Sequence, residues 1–370
     1  MAINEEKEPY FSIIIPTKNR SHIVGYAVQS VLNQSFGDFE VVIVDNDDTE
    51  ATYKVVQKFN DHRIRYIRTG GLSMVENWRS GLHQIRGRYV TVLQDKQAYY
   101  EQALEVIHGV TLGNNIDVVI WNGDVYDDTK ELAYTLVDPA NPKVNLITTE
   151  SILETYVANP KNAWGHLPRL INSCISRNLI EKARQRFNLE NFCIPFNPDL
   201  NSAFLALAST DQVGLIENSL VINGYMSLSN VIRWRRGDSQ YMGISHIEKD
   251  ADLGISNMRL VNNTVYNDYL RLRRLGTCKL AAHEMSPQVY ALMCADDAGR
   301  LPLGRISALK EVLAYAKNKG VPARQCVWVW LLAILKSWLL DNIGLHRFKA
   351  KKKWHANNIL EAVLNRPRPS

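Results

Sequence analysis

Between residues 11 and 93, short apolar runs alternate with amphipathic stretches, and this alternation limits the fold more than any other feature. Phe11 to Ile15 (FSIII), Phe39 to Val44, Ile64 to Ile67 and Tyr89 to Leu93 (YVTVL) are rich in β-branched and aromatic residues. Pro16 stops the first of them, which reads as a buried strand, and the other three read as strands. Between them, Ile23, Ala27, Val28, Val31 and Leu32 share one helical face, as do Val55, Val56 and Phe59, and then Met74, Trp78, Leu82 and Ile85. Ser21 is the expected N-cap of the first helix. Strand–helix–strand units close right-handed into a mostly parallel sheet whose ligands sit at the carboxyl ends of the strands. Three polar clusters fall at those ends: Thr17 to Arg20, Asp45 to Asp48, and Gln94 to Gln97. One polar loop means little, but three converging on one sheet edge imply a ligand site.

Composition narrows the ligand. The chain has 370 residues, 46% hydrophobic and 22% charged, which is an ordinary globular balance with room for one large or two moderate domains. A net charge of +5 suits phosphorylated ligands or anionic surfaces but is too weak to argue for nucleic acid. Much of the excess is local, in Arg233, Arg235 and Arg236 and in Lys349, Lys351, Lys352 and Lys353. Five scattered cysteines without a CxxC pair argue against a disulfide framework or a structural zinc site and fit a reducing compartment. The opening MAINEEKEPY lacks the order of a signal peptide, and no stretch reaches the roughly 18–20 apolar residues of a spanning helix. The expected location is the cytoplasm, with the inner face of the cell membrane as a peripheral site.

The segments FSIIIPTKNR, SVLNQSFGDFEVVIVDNDDTEAT and GRYVTVLQDKQ, in that order across residues 10–110, resemble the successive blocks of family 2 glycosyltransferases. The resemblance implies the GT-A architecture, a Rossmann-like, mostly parallel α/β sheet flanked by helices. It divides the chain into a transferase domain over 1–245, with a nucleotide half to about 110 and an acceptor half from 111, and a helical region over 246–370. The implied reaction is inverting transfer of a sugar from a nucleoside diphosphate sugar to a hydroxyl of a glycan or lipid-linked acceptor. Carried over residue by residue, Pro16, Thr17 and Arg20 fall in the nucleotide pocket. Asp45 would accept from the base or ribose, with Asn46 and Asp47 beside it. Asn77 matches the asparagine of the helix before the acidic motif, a helix-surface amide being the alternative.

The acidic motif departs from the family. Two or three aspartates are usual there; this chain has Gln94-Asp95-Lys96-Gln97. Mg²⁺ and Mn²⁺ prefer hard oxygen ligands, and Asp95 alone is able to anchor one because the diphosphate supplies the remaining charge. Lys96 would instead repel the cation and itself neutralise the leaving diphosphate. Both readings stay open at this point.

In the second half, Ile116 to Trp121 reads as a strand, Leu132 to Glu150 as a loop-rich insertion, Ser151 to Val157 as a helix, and Leu170 to Ser176 and Val213 to Ile222 as strands. An inverting transfer needs a carboxylate to take the acceptor proton. Asp199, in Asn197-Pro198-Asp199, is the candidate base, with helix capping as its other reading. Asp124, Asp127 and Asp128 are weaker candidates, and Asp211 reads as plain loop. Arg233-Trp234 is similar to the QxxRW motif of processive members, with Asn230 in place of the glutamine, and Arg233 is a candidate clamp on the diphosphate. His246 is a minor candidate beside it.

From about Asn257 the pattern turns helical. CVWVWLLAIL (326–335) is followed by a basic tail, which reads either as peripheral membrane contact through residues 324–355 or as a core or homodimer helix. Two rival functions remain. A nucleotidyltransferase would carry a glycine-rich phosphate loop, yet this chain has no glycine between Pro16 and Gly25. A non-catalytic sugar-nucleotide-binding scaffold is suggested by the eroded acidic motif.

Overall fold

The computed structural model describes residues 8–135, 143–193, 197–228, 255–256, 259–275, 279–342 and 350–367. The alternation becomes β1 (Phe11–Thr17), α1 (Ser21–Leu32), β2 (Phe39–Asp45), α2 (Ala51–Val56), β3 (Ile64–Arg68), α3 (Met74–Leu82) and β4 (Tyr89–Val92). Every residue of β2 and β4 is buried, as expected of strands covered on both faces. Arg20, not Ser21, occupies the cap position of α1, and no side chain caps that end. At α3 the sequence does cap: Ser73 and Glu76 form a reciprocal capping box.

β4, β1, β2 and β3 lie side by side, all parallel, with Thr17 of β1 level with Asp45 of β2. The carboxyl ends bearing the three polar clusters therefore share one edge. Gly87 permits this packing at the strand entry, since a Cβ there would lie 2.5 Å from the Ser12 nitrogen.

Beyond β4 come β5 (Gln97–Tyr99), α4 (Ala103–Asn114), β6 (Val118–Asp127), β7 (Leu132–Thr135) and β8 (Val144–Thr148). The expected loop-rich insertion over 132–150 thus contributes two strands. Leu132, Ala133 and Tyr134 pair with β6, while exposed and half-buried residues alternate in β8, which packs antiparallel against a later strand. Then follow α5 (Thr149–Ala158), α6 (Pro160–Ala163), β9 (Ser173–Ser176), α7 (Arg177–Arg186), α8 (Pro198–Ser209) and β10 (Gln212–Asn223). β9 joins β4 to β6 antiparallel, and β10 runs parallel to β6. The result is one mixed sheet with a parallel nucleus and helices on its faces.

The C-terminal region is helical as expected: α9 (Val261–Arg274), α10 (Pro287–Arg300), α11 (Arg305–Asn318) and α12 (Ala323–Asn342). Its Tyr266, Tyr269, Tyr290 and Tyr315 join the same apolar cluster as α5, α7 and α8. The chain then returns to the sheet, which periodicity did not signal. β11 (Lys352–His355) pairs antiparallel with β7, and α13 (Ile359–Leu364) packs over Ala98, Tyr126 and Ile222.

Candidate active site

The three polar clusters are linked to one another. The backbone nitrogen of Asn19, whose φ of 55° is one that asparagine tolerates, donates to Asp47 Oδ1, and Thr52 Oγ1 donates to Asp47 Oδ2 at 2.7 Å. Asp47 is therefore a brace between the β1 and β2 loops. Arg20 reaches from the β1 loop to the β4 loop, its Nη1 donating to Asp95 Oδ1 at 2.7 Å. Its Nη2 donates to the Leu228 carbonyl at 2.8 Å, which fastens the segment after β10 to the same place.

Asp45 is fully buried at the end of β2. It accepts from the Asp47 nitrogen at 2.9 Å and from the Tyr66 hydroxyl, and its burial raises its carboxyl above the usual range. Tyr66 was legible only as a strand residue; no local signal marks its hydroxyl as the partner of Asp45. Pro16 is partly buried at the strand end, and Thr17 beside it holds a buried Oγ1 with no protein partner. An orphaned hydroxyl at a strand end is what a bound ligand satisfies.

Two of the expected ligand contacts are internal ties instead. The Asn46 amide donates to the Leu72 carbonyl at 2.6 Å and accepts from the Leu72 nitrogen at 2.9 Å. Asn77 is buried rather than on a helix surface. It donates to the Val44 carbonyl at 3.1 Å and accepts from Thr69 Oγ1 at 2.6 Å. Both amides hold the 69–72 loop against the end of β2.

In the β4 loop, Gln94 is partly buried and its backbone nitrogen donates to Gln97 Oε1 at 2.8 Å. Lys96 is half-buried, and burial and the nearby Arg20 charge push its ammonium down while Asp95 and Asp128 oppose them. Asp128 accepts from the Ser227 nitrogen and hydroxyl, closing the edge from the β6 side. A divalent ion at Asp95 finds poor support. Asp95 is already ion-paired, and among the described residues no three His, Cys, Asp or Glu side chains stand close enough to hold a metal. The residues present do not fit the cation that the family implies.

Asp199 is the second residue of α8, behind Pro198 and the cap residue Asn197. No side-chain bond caps this helix. Burial raises the Asp199 carboxyl, opposed by the Arg169 guanidinium. Arg169 stacks over Trp164 at 5.1 Å, and its Nε is buried without a partner. The following residues run along the β4 loop, Val92 donating to the Leu170 carbonyl at 2.9 Å and Gln97 to that of Ile171 at 3.4 Å. Asp199 is thus within electrostatic reach of Arg169, whose neighbours Leu170 and Ile171 bond the end of β4 and its loop.

A residue not anticipated from sequence anchors α8 from behind. Asp268 of α9, fully buried, accepts from the Asn197 nitrogen at 3.1 Å and its amide at 2.9 Å. Nothing in YNDYL distinguishes that aspartate from a helix-surface one. The weaker candidates are otherwise engaged. Asp124, fully buried, meets Arg366 Nε at 3.0 Å and the Tyr100 hydroxyl at 2.7 Å, and Asp127 pairs with Lys130 at 3.2 Å. Asp211 pairs with Lys279. Arg233, Asn230 and His246 lie outside the described residues.

Residues 12–133 match the profile of Glycosyl transferase family 2. A Campylobacter jejuni protein, "GalNAc(5)-diNAcBac-PP-undecaprenol beta-1,3-glucosyltransferase", is 33% identical over 103 residues, 27% of this chain and 33% of that protein. The Escherichia coli K12 "putative colanic acid biosynthesis glycosyl transferase WcaA" is 34% identical over 106 residues, 27% of this chain and 37% of that one. The chain spans about a third of the length of these two curated relatives. Among solved structures, Staphylococcus aureus TarS with UDP-GlcNAc overlaps 91% of this chain and 93% of its own at 13% identity, with a TM-score of 0.47.

Proposed function

We infer that this chain, whose residues 12–133 match the profile of Glycosyl transferase family 2, is an inverting glycosyltransferase using a nucleoside diphosphate sugar. The observation that carries the reading is the joining of three strand-end clusters at one sheet edge, with the unpartnered Thr17 hydroxyl and the buried Asp45 among them. In this reading Pro16, Thr17 and Asp45 receive the nucleoside, while Asn46, Asp47 and Asn77 shape the pocket from behind.

The acceptor hydroxyl attacks the anomeric carbon on the face opposite the diphosphate. Asp199 takes its proton, since without that transfer the oxygen would carry positive charge as the new bond forms. The raised basicity of an enclosed carboxylate suits this task, and the Arg169 guanidinium opposes that rise. Positive charge from Arg20 and Lys96 faces the region of the departing diphosphate. Turnover with a panel of UDP-, GDP-, dTDP- and CMP-sugars tests the reading. Nucleotide binding without transfer to any hydroxyl acceptor would favour the scaffold alternative.

The acceptor in this reading is a glycan or a lipid-linked glycan, and α12 supports the lipid-linked form. Trp328, Leu331, Leu335 and Trp338 recur at helical spacing and are exposed along one face, while Cys326 and Ala333 are buried on the other. Arg324 and Lys336 are exposed on the same helix. Among the described residues, no helix is long and apolar enough to cross a membrane. An apolar stripe with tryptophans and flanking cations suits the interface of an anionic bilayer. The Campylobacter relative, named for an undecaprenol-linked substrate, is in keeping with this.

A further inference from the structure

Arg20 stands where a metal-using site would need room for its cation. The Arg20 and Asp95 side chains are 9% and 3% exposed and meet at 2.7 Å, and the guanidinium also donates to the Leu228 carbonyl. For a divalent ion to take the Asp95 oxygen, it would have to separate a buried ion pair. It would then sit between two like charges, Arg20 and the neighbouring Lys96 ammonium, whose environment already includes both Arg20 and Asp95. The carboxylate that shares the Lys96 environment with Asp95, Asp128, is engaged by the Ser227 nitrogen and hydroxyl, and among the described residues no three His, Cys, Asp or Glu side chains gather there. The guanidinium, in contrast, is always charged, and its planar donor fork matches phosphate oxygens.

We propose that Arg20, oriented by Asp95 and assisted by Lys96, supplies the positive charge that receives the departing diphosphate, so that this site handles its donor without a divalent ion. The proposal rests on the donor-site reading above. In the step it describes, the acceptor oxygen bonds to the anomeric carbon as the carbon–oxygen bond to the diphosphate breaks. The bonding pair leaves on the diphosphate oxygen facing Arg20 and Lys96, and the acceptor proton passes to Asp199. Asp95 is then a positioning residue that aims the guanidinium, not a metal ligand.

The experiment is calorimetric titration of UDP and GDP into the full chain, in excess EDTA and in Mn²⁺, alongside the electron paramagnetic resonance spectrum of Mn²⁺ with protein and nucleotide present. Whichever diphosphate binds should do so with affinities within about twofold in the two buffers, and the spectrum should be that of Mn²⁺ and nucleotide without protein. Arg20→Gln should weaken binding roughly 10- to 100-fold and make the residual affinity respond to Mn²⁺, because Asp95 is released. Lys96→Gln, which leaves the buried pair intact, should weaken binding and remain indifferent to Mn²⁺. If Arg20→Gln does not fold, the Lys96 variant and the wild-type metal arms still decide. Tightening of wild-type binding by about tenfold or more in Mn²⁺, with a protein-bound Mn²⁺ signal, would overturn the proposal. Silence in both buffers would instead remove the donor-site reading itself, and this proposal with it.

Discussion

Asp45 and Asp199 are both carboxylates raised by burial, yet their neighbours give them different work. Asp45 is braced by Tyr66 and the Asp47 backbone, as a fixed acceptor should be. Asp45→Ala should weaken nucleotide binding by about 1–3 kcal/mol, the scale for leaving polar partners unpaired, as read by calorimetry. Unchanged affinity would remove it from the pocket. At Asp199 the Arg169 charge, with backbone N–H groups at the start of α8, opposes the effect of burial. Asp199→Asn keeps the shape and should lower the transfer rate roughly 10²–10⁴-fold with melting temperature and donor affinity nearly unchanged. Near-native turnover would exclude it as the base.

The pH dependence follows from the same carboxylate. Burial favours its protonated form, which cannot accept a proton, so kcat should rise with pH through a value above the ordinary 3.8. Because Arg169 opposes the rise, Arg169→Gln should move this acid limb to still higher pH. A limb that does not move, or moves down, would show that Arg169 does not act on the base.

At the level of elements, two helices decide what the C-terminal region does. Gly299 of α10 lies against α12 so closely that a Cβ would come within 2.6 Å of the Trp330 carbonyl and 2.7 Å of the Ala333 Cβ. Gly299→Leu should therefore separate the helices and cost about 1–3 kcal/mol by overpacking, visible in chemical denaturation. The opposite face of α12 makes no such demand. Trp328→Glu with Leu335→Glu, at exposed positions, should leave the melting temperature close to native but abolish retention on vesicles rich in phosphatidylglycerol. Wild-type retention should weaken with salt, since attraction to the anionic surface is screened within about 8 Å at physiological ionic strength. A protein that ignores vesicles, and whose dimer becomes monomeric in the double variant, would assign the stripe to a second copy of the chain.

Across the whole molecule, the sheet is finished by the end of the chain. Arg366 lies 4.4 Å over the Tyr100 ring and meets the fully buried Asp124, while β11 covers the edge of β7. Arg366→Ala would leave that carboxylate buried with only the Tyr100 and Thr135 hydroxyls, and should cost about 3–5 kcal/mol in denaturant unfolding. A loss below about 1 kcal/mol would show that the hydroxyls alone satisfy it. The same contact disposes of Asp124 as a candidate base, because its carboxylate is committed to holding the C-terminal segment.

What the sequence determined by itself is the parallel nucleus and the edge where its chemistry gathers. Buried parallel strands must be continuously apolar and their helices amphipathic, so β1, β2 and β4 and the loops at their ends were readable from local pattern alone. Asp45 was legible because it directly follows such a run, and Asp95 because it lies two residues beyond one. The alternating strand β8, the return of β11 and the hydrogen bonds of Asn46 and Asn77 were not, because each is settled by a partner distant along the chain. The same holds for Asp268 behind Asn197, and for Arg20 against Asp95 across 75 residues. An arginine and an aspartate in separate loops carry no local mark of their pairing. Only folding puts the two loops on one edge, and there the loss of water around both charges makes the pair the better state for each.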